Sequence, residues 1–552
     1  MSSPNRFFGL ACSMPKRSLS DTTAGRTKMA NKNLFTTLRG ALQPAATVPN
    51  DAGAKAYELS PKATLARLAA TGCLNRTYYA SAETQLDRVL DLARQVDVDF
   101  LARTALYART KGHMKDMPAL LCAVLATRDL DQLIAVFPQV IDNGKMLRNF
   151  VQILRSGVTG RKSLGSAPKR LVRQWLERAS VRQLLQASIG NDPSLADVVK
   201  MVHPHPADAT REAFYAWLIG KPWDPAALPE TVRAFEAWKT TREGEIPDVP
   251  FQMLTALDLG DREWAMIAGA ASWQTTRMNL NTFARHGVFR FGGMADKLAT
   301  RLADPDQVRR SHVFPYQLLV AFLNAGNDVP LVVRNALQDA METAIGNVPE
   351  ISGNIVICPD VSGSMQSPVT GYRKGSASKV RCIDVAALVA AAFLRKNQHA
   401  RVLPFEVDVV EVALNSRDSV MTNATQLAKV GGGGTNCSAP LRFLNLEKSA
   451  PDLVVFISDN ESWADPKVGR GTAMMAEWEK LKQRNRKARL VCIDLVPNTT
   501  TQAPDRADIL NVAGFSDTVF DLIAAFAVGA DGSDHWIREI ELQPLNERMK
   551  TA

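Results

Sequence analysis

The sequence has no long hydrophobic run, and this absence argues against a membrane-spanning helix. No apolar stretch in its 552 residues approaches the roughly 20 residues that a helix needs to cross a bilayer. The longest stretches read VAALVAAAFL and LIAAFAVGA, a length that is typical of core helices. We therefore expect a protein without membrane association.

Paired cysteines are lacking as well. The 7 cysteines are an odd number, and none of them stands in a C-x-x-C pair. This argues against a disulfide scaffold or a zinc knuckle, and it indicates reduced thiols in a cytoplasmic protein. Residues 1–30 are basic and rich in serine but lack the apolar stretch of a secretory signal, so we expect a disordered tail there.

Acidic residues are scarce in one window of the chain. Residues 145–182 hold ten basic side chains and a single acid, Glu177. Residues 351–552 hold 23 basic and 23 acidic side chains, so the net charge of +10 resides entirely in residues 1–350. A solvated helix face explains most charged runs, but an excess this large favours contact with nucleic acid.

Residues 31–350 show almost no strand-like alternation. Apolar residues recur there at helical spacing, for example in ETQLDRVLDLARQV and MLRNFVQILRSG, with short Gly, Pro or Asp breaks between the segments. This pattern predicts an N-terminal all-α domain built from stacked helical pairs, a HEAT-like solenoid.

From residue 351 onward the pattern changes. The runs GNIVICPD, ARVLPFEVDVVEV, PDLVVFISDN and ARLVCIDLVP are rich in β-branched residues and alternate with helical stretches such as AMMAEWEKLKQR. Buried strands separated by helices predict a doubly wound, Rossmann-like parallel sheet over residues 351–552. Ligands of such folds bind beyond the carboxyl ends of the strands.

Polar oxygen atoms cluster at that predicted edge. The side chains are Asp360, Ser362 and Ser364 in DVSGS, Thr435 in GGGGTNCS, and Asp459 in FISDNESW. We expect each of the three segments to follow a strand, so that the side chains converge. Hydroxyls and carboxylates without His or Cys favour a hard cation, Mg²⁺ or Mn²⁺. The alternative is that the hydroxyls cap the next helix and that Asp459 bonds only to backbone.

Catalytic motifs are absent around these residues. The segment SGSM is not a G-x-S-x-G elbow, and the glycines at 431–434 are not followed by the Lys of a phosphate-binding loop. No His is placed by the sequence to activate a serine. We therefore expect no enzyme. A metal-dependent nuclease is a weaker alternative, because Glu461 and Asp465 lie close to Asp459 in the sequence.

Two family resemblances rest on these and other motifs. The oxygen cluster is similar to the metal-ion-dependent adhesion site (MIDAS) of a von Willebrand factor A domain. The region before it resembles the TROVE module of Ro ribonucleoproteins, in which an A domain follows. The stretches that carry the likeness are LAATGCLNRTYYAS (68–81), ARTKGHMKDMPALLCAVLA (108–126), GSAPKRLVRQWL (165–176), VVKMVHPHP (198–206), WAMIAGAASWQTTRMNLNTFARHGV (264–288) and RRSHVFPYQLLVAFLNAG (309–326). DVSGSM, GGTNCS and SDNESW then follow in the family's order.

The resemblance implies a monomeric ring of helical repeats that is closed by contact with the A domain. Such rings bind single-stranded 3′ ends of misfolded noncoding RNA in a central hole, whereas small Y-type RNAs bind a basic outer surface. Bacterial relatives tether an exoribonuclease through such an RNA. A positive channel of this kind passes a flexible strand and binds it with little sequence preference.

Candidate RNA-binding residues follow from the matched segments. We expect the channel to be lined by Lys111, His113, Lys115, Arg277, Asn279, Arg285 and His286. We expect the outer surface to present Lys145, Arg148, Lys169, Arg170 and Arg173. For the arginines at 277 and 285 the alternative is that they bridge neighbouring helices.

The sequence thus predicts three regions: a tail at 1–30, a TROVE helical domain at 31–350 and an A domain at 351–552. The predicted function is non-enzymatic RNA binding in noncoding RNA quality control or decay. The main alternative is a metal-dependent protein-interaction scaffold that does not bind RNA.

Overall fold

The structure, a computed structural model, describes residues 45–71, 74, 81–311, 313, 315–348, 350–369, 371, 380–466, 470–514, 517–529 and 535–545. The predicted tail at 1–30 lies outside these residues. The described chain belongs to one compact unit that begins at Ala45, and the predicted boundary between residues 350 and 351 stays a prediction. None of the described helices has the length and apolar character needed to cross a membrane.

Helices dominate the first 350 residues, as the apolar spacing predicts. They are α1 Pro61–Thr71, α2 Ala82–Gln95, α3 Val98–Thr110, α4 Asp116–Arg128, α5 Leu130–Val140, α6 Gly144–Ser156, α7 Ser166–Arg178, α8 Val181–Ala187, α9 Leu195–Val202, α10 Ala209–Ile219, α11 Glu230–Thr241, α12 Phe251–Thr255, α13 Asp261–Ala270, α14 Trp273–Met278, α15 Leu280–Arg285, α16 Met294–Ala303, α17 Pro305–Ser311, α18 Pro315–Asn324 and α19 Leu331–Ala344. Short 3₁₀ turns occupy Val288–Arg290 and Ile345–Asn347.

Side-chain caps begin many of these helices. The Asp97 carboxylate accepts the backbone N–H of Phe100 at 2.7 Å and starts α3, and Asn143 starts α6 in the same way. Such caps satisfy amide groups that the helix itself leaves without an acceptor. Gly157 ends α6 with a left-handed backbone, φ 90°.

The helices pack in series along the chain. Helix α1 contacts α3, α3 contacts α5, α5 contacts α7, and α7 contacts α9. A cluster of Phe235, Trp238, Leu254 and Ile267 links α11, α12 and α13 farther along. Contacts among α13, α16 and α19 complete the series. Each helical pair therefore buries its apolar face against its neighbours, as in a solenoid.

The C-terminal part holds the predicted parallel sheet. Its elements are β3 Ile355–Pro359, a 3₁₀ turn at Gly363–Gln366, α20 Cys382–Lys396, β4 Arg401–Val402, α21 Val420–Leu427, α22 Ala439–Leu446, β5 Leu453–Ser458, α23 Ala473–Arg484, β6 Arg489–Asp494, β7 Thr500–Thr501, β8 Ile509–Ala513, α24 Asp517–Ala527 and α25 His535–Glu541. The strands run parallel in the order β4-β3-β5-β6-β8.

Helices cover both faces of this sheet. Along β3, Ile355 and Ile357 belong to the large core that includes α20, whereas Val356 and Cys358 belong to a second core on the opposite face with Trp478 of α23. The alternation follows from the two-residue period of a strand. Because both faces are buried, the strands are apolar throughout, which explains why the sequence displays them as continuous runs.

Two strand predictions need correction. The run ARVLPFEVDVVEV forms only the two-residue strand β4 at the sheet edge, and the chain turns back on itself after Phe405, which bridges to Val409. The all-α expectation for residues 31–350 has an exception, because β1 Val48–Pro49 and β2 Lys55–Glu58 form a hairpin. This hairpin pairs with β7, which lies more than 400 residues away and which no local pattern reveals.

Both ends of the helical series contact the sheet-bearing part. Helix α1 packs on β8 and α25, and α18 packs on α20. Glu342 of α19 also accepts the backbone N–H of Val420 at 3.0 Å. The series of contacts therefore closes on itself through the C-terminal part.

A buried ion pair connects α1 to the sheet at the point where the helical series closes. The Arg67 guanidinium of α1 lies 2.9 Å from the carboxylate of Asp494 at the end of β6, and both side chains are almost fully buried. Beside it, Arg88 binds Asp51 in the hairpin with two hydrogen bonds. Asn50 donates to the carbonyl of Ser462 at 2.9 Å, so the hairpin turn also reaches the loop after β5.

We predict that Arg67→Met lowers the free energy of unfolding by about 3–5 kcal/mol, because it leaves the Asp494 carboxylate buried without its cation. Urea denaturation followed by tryptophan fluorescence measures the change. The double variant Arg67→Met/Asp494→Leu should recover most of the loss, since apolar side chains can replace a buried pair.

The matched control is Arg94→Met. Arg94 pairs with Asp91, but both side chains are 62% exposed, so its loss should cost less than about 1 kcal/mol. If Arg67→Met were as stable as this control, the buried pair would not hold the closure.

Candidate metal centre and nucleic-acid interface

The five predicted oxygen ligands lie together at the carboxyl edge of the sheet. Asp360 directly follows β3, and its N–H donates to the carbonyl of Ile457 in β5 at 2.9 Å. Asp459 directly follows β5. Thr435 differs from the prediction, because it lies in the loop between α21 and α22 and does not follow a strand. All five side chains are buried.

Hydrogen bonds connect the side chains into one group. Thr435 Oγ1 donates to Ser362 Oγ at 2.9 Å, and Ser362 Oγ lies 3.3 Å from Ser364 Oγ. Ser364 in turn bonds to the carboxylate of Asp459. The Asp360 carboxylate accepts the N–H of Ser362 at 2.8 Å and the hydroxyl of Ser458 at 2.6 Å. The oxygens therefore face a common point.

The glycine-rich loop reaches this point through close backbone contact. Gly432 donates its N–H to the carbonyl of Val361 at 2.9 Å, and Gly363 donates to that of Gly433 at 2.8 Å. A Cβ on Gly431 would lie 2.1 Å from the Val361 oxygen, and its φ is +87°. Glycine is thus required for both space and conformation.

Burial raises the pKa of both carboxyl groups in this cluster. For Asp360 the main cause is loss of solvent, and the second cause is the charge of Asp459 beside it. Loss of solvent also raises the pKa of Asp459. Two buried carboxylates at one point are costly unless a cation accompanies them. The hydroxyl and carboxylate donors fit a hard divalent cation, which would relieve this repulsion.

The neighbouring acids are engaged elsewhere. Glu461 accepts the side-chain amide of Asn498 at 2.5 Å and the N–H of Ala52 in the hairpin at 3.2 Å. Asp465 accepts hydrogen bonds from the Ser462 hydroxyl and the Ser438 N–H. These two acids hold loops in place, which weakens the nuclease alternative. Among the residues that the structure describes, no group of three His, Cys, Asp or Glu could hold a metal, so a metal here depends on the hydroxyls.

Two exposed apolar residues lie beside the five oxygen-bearing side chains and were not predicted from the sequence. Trp463 is 55% exposed, and its ring packs against Gly434. The backbone N–H of Trp463 donates to the carbonyl of Thr435 at 3.0 Å. Val407 is also exposed and follows Glu406, whose carboxylate accepts the Gly433 N–H. The tryptophan in SDNESW was visible in the sequence, but its exposure was not.

The first set of predicted RNA-binding residues lies on an exposed loop. Lys111, His113 and Lys115 all belong to the α3–α4 connection and are exposed. Lys145, which was predicted for a different surface, lies next to this loop because its ammonium group is 3.9 Å from Asp116. Lys145 of the predicted outer surface is therefore a neighbour of the predicted channel residues in this loop.

Three predicted arginines make internal contacts instead. Arg148 is buried and donates to the carbonyls of Ile189 and Pro193. Arg277 is buried and donates to the carbonyl of Gln317 at 2.8 Å. Arg173 is half-buried and donates twice to the carbonyl of Val202.

Arg148 and Arg277 are thus bonded inside the protein, and their contact with RNA stays a prediction. Each guanidinium joins separate chain segments, and the helix-bridging alternative is confirmed for Arg277. A sequence shows the charge of an arginine but not its acceptors, and carbonyl groups at helix ends and in loops attract guanidinium groups strongly.

The remaining predicted residues lie on two helices. Lys169 is half-buried and Arg170 is exposed, both in the first turns of α7. Near α15, Asn279 donates to the carbonyl of Thr275, and Arg285 is exposed and donates to the Thr282 hydroxyl. His286 stacks on Trp264 with ring centroids 4.0 Å apart.

Comparison with known proteins identifies similar chains. Residues 354–527 match the family described as the Ro60 vWA domain. The chain is 26% identical over 522 residues to the RNA-binding protein RO60 of Deinococcus radiodurans, covering 87% of this chain and 95% of that protein. It is 22% identical over 244 residues to the RNA-binding protein RO60 of Caenorhabditis elegans, covering 42% of this chain and 37% of that protein.

A solved structure supports the same fold. The crystal structure of the Deinococcus radiodurans RO (RSR) protein superposes with a TM-score of 0.60 at 23% identity, covering 86% of this chain and all of that chain. The predicted resemblance to Ro ribonucleoproteins is confirmed, as is the predicted fold of a helical-repeat region followed by a von Willebrand A domain.

We predict that Gly431→Ala disrupts the cluster of five oxygen-bearing side chains and lowers the free energy of unfolding by about 2–4 kcal/mol. The added methyl group meets the Val361 oxygen and also requires a strained backbone. Thermal unfolding measures the loss. The control is Gly346→Ala, where a Cβ meets no atom within 4 Å and φ is not positive. Equal stability of the two variants would contradict the close approach.

Proposed function

We propose that this Ro-like chain is an RNA-binding protein. The observation that carries the proposal is its similarity over 87% of its length to a protein named for RNA binding. The charge distribution supports it, because residues 31–350 carry a net charge of +6 whereas residues 351–552 carry none. Lysine and arginine attract a polyanion by neutralising phosphates and releasing counterions.

The ligands we propose are small structured noncoding RNAs of the Y type and single-stranded 3′ ends of misfolded noncoding RNA. The closed series of helix contacts supports a monomeric ring whose hole admits a flexible strand more easily than a duplex. The exposed loop of Lys111–Lys115, together with Lys145, Lys169 and Arg170, supplies the cations. The protein would then act in RNA quality control or decay in the cytoplasm, with an exoribonuclease tethered through RNA.

The test is to crosslink RNA to the protein in its own cells, to purify the protein and to sequence the RNA. We expect enrichment of a few small structured RNAs together with noncoding RNAs that end in a single strand. RNA identical to that of a mock purification would contradict the proposal and favour a protein-interaction scaffold.

We also propose that the oxygen cluster binds Mg²⁺ or Mn²⁺ through Asp360, Ser362, Ser364, Thr435 and Asp459. The metal would supply a Lewis-acidic centre that attracts a carboxylate or phosphate. The protein's own residues make it a recognition site and not a catalytic one, because Glu461 and Asp465 are committed to hydrogen bonds within the loops. This supports a non-enzymatic role.

One observation favours an additional function in binding a protein. Trp463 and Val407 are exposed apolar side chains beside the cluster. Aromatic side chains of this kind are enriched at the centres of protein interfaces. A partner that offers an acidic side chain next to an apolar one would fit the metal and this rim together.

We predict that Lys169→Gln/Arg170→Gln weakens RNA binding and reduces the slope of log K against log salt by about 1–2, because each lost phosphate contact removes part of the counterion release. Fluorescence anisotropy across a salt series measures the slope. The control Arg417→Gln/Lys429→Gln removes two exposed cations from the C-terminal part and should leave the slope unchanged. Identical slopes for both variants would contradict a role for α7.

We predict that Asp360→Ala abolishes binding of Mg²⁺ or Mn²⁺ in isothermal titration calorimetry and leaves RNA affinity nearly intact. Changes in residues that only support metal ligands cost about 10–100-fold in affinity, so loss of a direct ligand should cost more. The control is Asp408→Ala, which removes a 69% exposed carboxylate from the same half of the chain. Unchanged metal affinity in the first variant would contradict the assignment.

A further inference from the structure

A cleft of ≈ 690 Å³ opens beside α13, outside the residues predicted from the sequence. One wall is the outer face of α13, and the other walls are Phe291 and the first turn of α16. Its volume falls within the range of about 300–1,000 Å³ that is typical of sites for small organic ligands. A single nucleotide would fit within it.

Two cations line this cleft and point to an anionic ligand. Arg262 and Lys297 are both exposed, and neither has an ion pair among the described residues. The Lys297 ammonium lies across the backbone of α13, because a Cβ on Gly269 would be only 3.4 Å from its Nζ. The lysine therefore lies close to the backbone that lines the cleft.

A third cation nearby, Arg301, has a structural role. Arg301 donates to the carbonyls of Ala268 and Gly269 at 2.9 and 2.7 Å and to the Thr276 hydroxyl at 3.0 Å. These bonds neutralise the carbonyl end of α13. Since Arg301 already meets this demand, the charges of Arg262 and Lys297 remain available to an external anion.

The rest of the lining is apolar and includes an aromatic ring. Phe291 is 37% exposed, although large apolar side chains of this chain are mostly buried. Met266 and Met294 line the same cleft. A base can stack on an exposed aromatic ring, and thioethers adapt to the rest of its surface.

One carboxylate, Glu245, also lines the cleft. Its charge partly opposes that of the two cations, so inorganic phosphate alone is a poor match for the site. A ribonucleotide matches it better, because its 2′-hydroxyl or a base amino group can donate to this carboxylate while its phosphate faces the cations. The 2′-hydroxyl is also the group that distinguishes RNA from DNA.

We infer that this cleft binds one nucleotide of a single RNA strand, with the base on Phe291 and the phosphate between Arg262 and Lys297. The inference rests on the proposed RNA-binding function and adds a site to it. It gives the α13–α16 region a direct role in RNA contact that the buried Arg277 on α14 does not provide.

The experiment uses the full-length protein and a single-stranded oligoribonucleotide. Affinity is measured by fluorescence anisotropy, and contact is mapped by photocrosslinking 4-thiouridine in the oligonucleotide and sequencing the crosslinked peptide. Phe291→Ala should weaken binding about 5- to 150-fold, the effect of losing one stacked base. Arg262→Gln/Lys297→Gln should lower the salt slope by about 1–2. The crosslink should map to the peptide that contains Phe291.

Two further variants separate contact from folding. Phe291→Trp should retain the affinity of the unmodified protein, because it keeps a stacking ring. Phe291→Leu keeps an apolar side chain without a ring and should lose affinity as Phe291→Ala does. Trp223→Ala is the matched aromatic control, since Trp223 is 41% exposed on a different surface segment and should leave affinity unchanged.

The outcomes distinguish this inference from the proposed function. If the unmodified protein binds the oligonucleotide but the Phe291 and Arg262/Lys297 variants bind equally well, the cleft is not an RNA site and the proposed function stands. If Phe291→Leu binds as tightly as Phe291→Trp, stacking is excluded and the inference fails. If the unmodified protein does not bind RNA, both fail.

Discussion

The constraint on which the closed architecture depends is that the buried side chains of Arg67 and Asp494 must match each other, because neither charge can stay buried alone. A guanidinium and a carboxylate removed from water are stable only when they meet with good geometry. Here one comes from the first described helix and the other from the end of β6. The pair therefore favours one arrangement of the two ends of the chain, in which α1 packs on β8 and α25 and the helical series closes on the sheet.

The same closure shapes the candidate metal centre. The hairpin that accompanies α1 contacts Glu461 and Ser462, immediately after the candidate ligand Asp459. The glycine-rich loop approaches from the other side. The loop after β5 thus contacts both the β1–β2 hairpin and the glycine-rich loop at 431–434. Such fixed loops keep oxygen atoms converging on one point, which is what a cation with demanding geometry requires.

Cations in the helical part serve two different purposes. Arg148, Arg277 and Arg301 donate to backbone carbonyls and join neighbouring segments. Lysines in the α3–α4 loop and the cations beside α13 remain at the surface. The first group stabilises the scaffold, and the second group gives the scaffold its attraction for polyanions. An excess of basic residues in a sequence therefore overstates the charge that is available for binding.

Much of the architecture followed from local patterns. The helices α2 and α6 and the strands β3, β5 and β6 were predicted within a few residues, because apolar spacing records which face of an element is buried. The convergence of Asp360 and Asp459 was also predictable, since residues that follow neighbouring parallel strands gather at the carboxyl edge of the sheet. The hairpin at 48–58, the strand β8 and the shortness of β4 were not, because each depends on a partner strand or a sheet edge distant in the sequence.

The sequence by itself determined the kinds of element, the identity of the oxygen donors and the location of the positive charge. Only the tertiary structure decided which arginines are buried and which segments meet at the closure. It also brought Phe291, Arg262 and Lys297 to the lining of one cleft. The physical reason is that periodicity and residue type are local properties, whereas burial, ion pairing and convergence arise when distant segments pack together.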